Sequence, residues 1–181
     1  MRVIAGLYRS RILKEVDNDS TRSTKDKVKE QIFNSVGPYF DGLNVLDLFA
    51  GSGSLGIEAI SRGVTKSVFI DSSKQAVDVI TDNVLSLKIQ DKAEVIQSLY
   101  IDYLNNTKET FDLIFLDPPY SLEELDKIVF IISERKLLKE TGRIVCLYSK
   151  NSSIKAENND IIEYKQKKSG ITTISFMKWG V

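Results

Sequence analysis

Apolar residues recur along this chain in two alternating rhythms. Runs that are apolar at almost every position, at residues 44–48, 67–71, 93–97, 112–117 and 143–148, read as strands buried on both faces. Between them, about 54–62, 73–87 and 122–133 carry apolar residues every three or four positions, and a shorter helical stretch precedes 112. An earlier helix is expected from a cap at Ser23 or Thr24 through Phe33, with Asp26 in its first turn and Gly37-Pro38 as its stop. Strand and helix in strict alternation predict a doubly wound, Rossmann-like α/β fold with helices on both faces of a parallel sheet. The last part changes rhythm. Residues 161–167 and 171–177 are two strand-like runs joined by Lys168-Ser169-Gly170, with no room for a helix, so an antiparallel hairpin should complete a seven-stranded, mostly parallel sheet. Residues 151–159, polar and unpatterned, read as a loop.

The strand at 112–117 runs into Asp117-Pro118-Pro119-Tyr120. Two prolines fix φ and carry no N–H, so the ladder stops there, leaving a carboxylate, carbonyl oxygens and an aromatic ring at the strand's end. Acceptors beside a ring suit a flat nitrogenous base with an amino group; an ordinary strand-ending turn is the plainer alternative. The first strand runs into Asp47-Leu48-Phe49-Ala50-Gly51-Ser52-Gly53-Ser54-Leu55-Gly56, which satisfies G-x-G-x-x-G. Its glycines allow a tight turn and close approach of a ligand to a helix N-terminus, and Asp71, twenty positions after Gly51, can hold ribose hydroxyls. A dinucleotide and S-adenosyl-L-methionine both meet that description. Asp47 favours the latter, because a carboxylate suits a cationic amino-acid end better than a pyrophosphate. In a doubly wound order the first and fourth strands are neighbours, so Asp47 and Asp117 should face one crevice.

Composition narrows the chemistry. At 181 residues with 42% hydrophobic content the chain fits one domain, 1–181, and no apolar run approaches a membrane span. Nor does the N-terminus read as a signal peptide, so a cytoplasmic location is expected. Histidine is absent, which removes His-based triads and His metal ligands, and no metal is expected. Cys146, the lone cysteine, sits in an apolar run and reads as a buried thiol. Net charge is zero, yet Arg2, Arg9, Arg11 and Lys14 make the first residues basic, and Lys165, Lys167, Lys168 and Lys178 do the same near the C-terminus. These are either solvated strand faces or phosphate-binding patches.

Phe49-Ala50-Gly51-Ser52-Gly53 with Asp117-Pro118-Pro119-Tyr120 resembles the motif pair of amino-group methyltransferases acting on nucleobases. Arg2-Val3-Ile4-Ala5-Gly6, Arg9-Ser10-Arg11 and Arg22-Ser23-Thr24-Lys25-Asp26-Lys27-Val28-Lys29-Glu30 narrow the resemblance, over nearly the whole chain, to the RsmD family. It implies a class I methyltransferase fold and transfer of a methyl group from S-adenosyl-L-methionine to the N2 amine of a guanine in 16S ribosomal RNA, naked or in an assembling small subunit; the sequence itself shows no extended apolar heptad or patch, so a monomer is expected. The resemblance assigns catalysis to Asp117, Pro118, Pro119 and Tyr120. Cofactor binding falls to Asp47, Phe49, Ala50, Gly51, Ser52, Gly53, Asp71, Ser98 and Thr24, and RNA contact within the 1–23 arm and beyond to Arg2, Arg9, Arg11, Arg22 and Lys25. The chain departs from the family at Ser23 (for proline), Ser10 (for glycine), Asp71 (for glutamate) and Leu99, where an acid or amide faces the adenine and Ser98 would substitute. A DNA adenine-N6 methyltransferase shares the Asp-Pro-Pro-Tyr type of site. A protein-glutamine methyltransferase and a non-catalytic RNA-binding assembly factor are further alternatives.

Overall fold

The computed structural model describes residues 1–16, 26–154 and 160–180. Ser23 and Thr24, the expected cap of the first helix, lie outside the described residues, as does the 155–159 part of the expected loop. In chain order the elements are α1 (Asp26–Val36), β1 (Asn44–Asp47), α2 (Ser54–Ser61), β2 (Lys66–Asp71), α3 (Lys74–Leu87) and β3 (Ala93–Gln97). There follow α4 (Tyr100–Asn106), β4 (Phe111–Leu116), α5 (Leu125–Glu134), β5 (Leu138–Ser149), β6 (Ile161–Ser169) and β7 (Thr172–Trp179).

The seven strands form one sheet in the order β3-β2-β1-β4-β5-β7-β6. The first five in that order run parallel, and β7 and β6 are antiparallel to their neighbours. From β1 the chain winds outward to β2 and β3, then returns to lay β4 on the other side of β1. The crevice of such a sheet opens at that reversal, outside the carboxyl ends of β1 and β4. Asp47 pairs with Phe115 across it, and the Leu48 N–H donates to the Phe115 carbonyl at 3.1 Å, so Asp47 and Asp117 rise from adjacent strand ends.

Both faces of the sheet are covered at its centre, which is why β1, β2 and β4 are apolar at almost every position, while β6 at the edge is polar and largely exposed. One core joins Ile32 and Phe33 of α1, Ile57 of α2 and Ile80 of α3 to Phe69, Phe115 and Phe176. The other packs Leu104 of α4 and Ile128 and Ile132 of α5 on Leu46, Ile114 and Cys146. Gly56 brings α2 onto β2: a Cβ there would stand 2.3 Å from the Phe69 ring. Among the described residues no helix is long and apolar enough to cross a membrane.

Several boundaries differ from the sequence expectation. Helix α1 runs three residues past Phe33 to Val36, ending where Gly37 takes φ +137°. Helix α5 begins at Leu125 because residues 119–122 form a separate turn, closed by the Leu122 N–H on the Pro119 carbonyl at 2.9 Å. Strand β5 begins at Leu138, five residues early; a register shift opposite Phe111–Leu113 accommodates Lys139 and Glu140, whose polarity conceals the strand. The hairpin turn is the two residues Gly170-Ile171, with Gly170 at φ +61°.

The basic N-terminal residues fold back as an arm with an antiparallel bridge between Arg2 and Ile12 and bury Val3 and Leu13. Glu58 of α2, wholly buried, receives the Ile4 and Ala5 N–H groups at 2.8 and 3.0 Å. It also pairs with Arg62 at 2.8 Å and lies 3.6 Å from the buried ammonium of Lys29. Desolvation lowers the Lys29 pKa, with Glu58 and Asp26 opposing.

Candidate active site

A cavity of about 920 Å³ occupies the crevice at the carboxyl ends of β1, β2 and β4. Asp47, Phe49, Ala50, Gly51 and Ser52 line it after β1, Asp71 after β2, Ser98 after β3, and all of Asp117-Pro118-Pro119-Tyr120 after β4. The structure therefore gathers most of the sequence-assigned residues in one place. Gly53 is outside the wall. It is the N-cap of α2 at φ +78°, where a Cβ would press on Ile57 and Ile80 at 3.3 Å, so its role is to start the helix. Thr24, Arg22 and Lys25 lie outside the described residues.

Each acid has a defined environment. Asp71 accepts the Gly51 N–H on one carboxylate oxygen and the Ser73 N–H on the other, both at 2.9 Å, which ties the glycine turn to the start of α3. Each oxygen keeps a further lone pair for a hydroxyl. Asp47 is 1% exposed and accepts the Gly56 N–H at 3.1 Å. Burial raises its pKa to about 7; the Gly56 N–H opposes the rise, and Asp117 and Asp71 add to it. Ser98 turns its hydroxyl hydrogen to the Leu99 carbonyl at 3.0 Å, leaving the oxygen's lone pairs as its contribution to the cavity. Burial also pushes the Cys146 thiol up, as befits an inert core residue.

Other wall residues had no role assigned from the sequence. Ser54, at the start of α2, is 4% exposed and its hydroxyl oxygen has no partner among the described residues. The Tyr100 ring, 5.3 Å from that of Phe49, lies against the β3 side, and its hydroxyl donates to Glu124. Glu15 and Val16 bring the arm to the rim. A ligand in this cavity meets acceptors from Asp47 and Asp71, an uncapped helix N-terminus with an orphaned hydroxyl, and aromatic faces at one end. Those groups fit an adenosine joined to a cationic amino acid.

A smaller cavity of about 190 Å³ shares Pro118, Pro119, Tyr120 and Leu122 with the first and continues over Tyr148 and Ile154. The Tyr120 hydroxyl meets Thr172 Oγ1 of β7 at 2.9 Å, so the ring is held at the junction of the two cavities. The arm's arginines lie elsewhere. Arg2 pairs with Asp26 at 2.9 Å, Arg11 donates to the Ser86 carbonyl at 3.2 Å, and Arg9 follows the turn that hangs on Ser61. Ser61 ends α2 and Ser86 lies near the end of α3, whereas the cavity is at the start of both helices. Their rise sets Arg9 and Arg11 roughly 12–18 Å along the helices from the cavity.

Residues 1–178 match the family model described as Conserved hypothetical protein 95. The chain is 40% identical over 181 residues to "Putative rRNA methyltransferase YlbH" of Bacillus subtilis, covering 98% of each. It is 35% identical to "Ribosomal RNA small subunit methyltransferase D" of Haemophilus influenzae, covering 96% of this chain and 91% of the relative. The solved structure of "Putative methyltransferase yhhF from Escherichia coli" superposes with a TM-score of 0.85 at 25% identity, covering 99% of this chain and 97% of that one.

Proposed function

On the premise that the chain belongs to the family described as Conserved hypothetical protein 95, the RsmD family, we propose that it methylates the N2 amine of a guanine in 16S ribosomal RNA. S-adenosyl-L-methionine is the donor in this reading. The observation that carries it is the position of Pro118-Pro119-Tyr120 on the shared wall of two cavities, with Asp117 on the wall of the larger, which fits the cofactor, and the smaller beside an aromatic ring. Asp71 holds the ribose hydroxyls, Phe49 and Tyr100 flank the adenine, and Asp47 with the turn at Gly51 and Ser52 takes the amino-acid end. When bound, the cofactor supplies an electrophilic methyl on a sulfonium that departs as a neutral thioether.

The protein's part is placement. A flipped guanine stacks on Tyr120 and gives the two hydrogens of its exocyclic amine to the Asp117 carboxylate and the Pro118 carbonyl. That nitrogen's lone pair is delocalised into the ring; acceptors on both hydrogens favour a geometry in which it points at the methyl carbon. Alignment of this kind lowers the barrier by up to roughly 7–11 kcal/mol in well-oriented intramolecular systems. In this reading Asp117 receives the proton the amine must shed. We read the whole chain as one catalytic unit acting as a cytoplasmic monomer.

The test supplies labelled cofactor with unmodified 16S rRNA, assembling small subunits, DNA and protein extract. Incorporation at guanine N2 of the rRNA, free or assembled, is the expected result, and incorporation only into DNA overturns the reading. Asp117→Ala should lose at least about 100-fold in turnover while keeping cofactor affinity.

A further inference from the structure

The cavity is a poor place for an RNA backbone. Among the described residues its rim and floor carry Glu15, Asp47, Asp71 and Asp117 and no lysine or arginine. Yet the nucleotide that reaches Tyr120 brings flanking phosphates with it, and these need cations nearby. Arg9 and Arg11 cannot supply them, since they sit at the far ends of α2 and α3.

The register of the last three strands identifies another source. Ser149, the last residue of β5, pairs with Thr172, the first of β7, and Thr172 also pairs with Ser169, the last of β6. The β6–β7 turn therefore stands at the carboxyl end of the parallel strands, beside the Tyr120 ring that Thr172 holds. Three lysines collect there. Lys150 follows β5 and its N–H donates to the Ile171 carbonyl at 2.9 Å, which fixes it against the turn. Lys167 and Lys168 pair with Ile174 and Thr173 on the other side and, as consecutive residues of the edge strand, present one side chain to each face of the sheet beside the turn. Lys150 and Lys168 are exposed and Lys167 is partly so. Ile171, 59% exposed, projects from the turn between them.

Neighbouring cations are already engaged. Lys165 lies over the Phe176 ring, Lys178 and Arg143 lie over Tyr164, Lys127 pairs with Glu124 and Lys139 with Asp112. Lys150, Lys167 and Lys168 pair with no carboxylate among the described residues. Lysines on an edge strand also deter edge-to-edge association, which would account for Lys167 and Lys168 alone. That account does not reach Lys150, which follows an interior strand and converges on the same turn.

We propose that Lys150, Lys167 and Lys168 form a phosphate-binding cluster that grips the RNA backbone next to the nucleotide being methylated. The proposal rests on the reading of the chain as an RNA-directed methyltransferase. It makes the C-terminal hairpin the local RNA contact and leaves the N-terminal arm a more distant one.

The experiment compares wild type with the triple variant Lys150→Gln, Lys167→Gln, Lys168→Gln and with Arg9→Gln, Arg11→Gln. Affinity for an unmodified 16S rRNA transcript is measured over a fourfold range of salt, together with kcat/KM, cofactor affinity, Tm and sedimentation. Three lost phosphate contacts should reduce the magnitude of the log–log salt slope by about 2–3. The wild-type advantage should accordingly shrink by roughly 20- to 40-fold from the lowest to the highest salt. Cofactor affinity and Tm should hold. Because the contact is local, kcat/KM on a short fragment carrying the target should fall further for the lysine variant than for the arginine variant. An unchanged salt slope and kcat/KM in the lysine variant overturns the proposal, as does a variant that self-associates while keeping its slope. A wild type that binds cofactor but methylates no RNA overturns the functional reading instead.

Discussion

Asp47 keeps its proton to about pH 7 while an unfolded aspartate loses its own near pH 4. Between those values the folded chain binds more protons than the unfolded one, so stability falls as pH rises. The contribution of Asp47 is thus fully present below about pH 4 and lost as pH passes through about 7. Asp47→Asn should flatten urea-derived stability across that window. A cationic group beside Asp47 favours its ionised form, so cofactor affinity, measured by calorimetry, should rise with pH through 7 in wild type and stay level in the variant. Thr172 makes a second residue-scale prediction. Thr172→Val removes a hydrogen bond worth about 0.5–1.5 kcal/mol and releases the Tyr120 ring. Turnover on RNA should drop several-fold with cofactor affinity unchanged, and Thr172→Ser should restore it. Asp47 and Tyr120 were legible because each ends an apolar run. Thr172, 52 positions from its partner, was not, since nothing local in Ile171-Thr172-Thr173 signals that contact.

The buried trio of Lys29, Glu58 and Arg62 belongs to the scale of elements, because one acid joins α1, α2 and the arm. Replacing Glu58 with Gln leaves two buried cations without a counter-charge, a change that costs about 3–5 kcal/mol in comparable buried pairs. The expected result is a lower urea midpoint and faster proteolysis of the first residues, whose N–H anchors weaken. At this scale the alternation of buried strands and amphipathic helices was readable directly, because both faces of the sheet are covered at its centre. Glu58 was hidden for the opposite reason: within Ser54–Ser61 it occupies the place of a solvent-facing helix residue, and only the returning arm explains its burial. Strand β5 was half hidden, with Arg143–Tyr148 visible and Leu138–Gly142 masked by polar residues that the register shift absorbs.

Across the whole molecule, the reversal of winding between β1 and β4 brings three carboxylates, Asp47, Asp71 and Asp117, and two cavities to one end of the sheet. The glycine turn and the Asp-Pro-Pro-Tyr strand end foretold that meeting, since each follows a strand and neighbours in a doubly wound order are predictable. The cations were foretold as two basic stretches, one at each end of the sequence, but not where each stands relative to the crevice. Arg9 and Arg11 looked like the natural partners of a reacting nucleotide, but the direction in which the arm docks depends on Glu58, Ser61 and Asn83, far away in sequence. An enzyme with basic groups at both ends of its helices addresses a substrate with extent and shape. The tie between Tyr120 and Thr172 also orders events in time. A chain emerging from its own synthesis has the glycine turn and the tetrapeptide long before β7 exists, and its aromatic ring gains its anchor only when that late strand slots in beside β5. The ring is therefore seated only after β7 has been made and has docked.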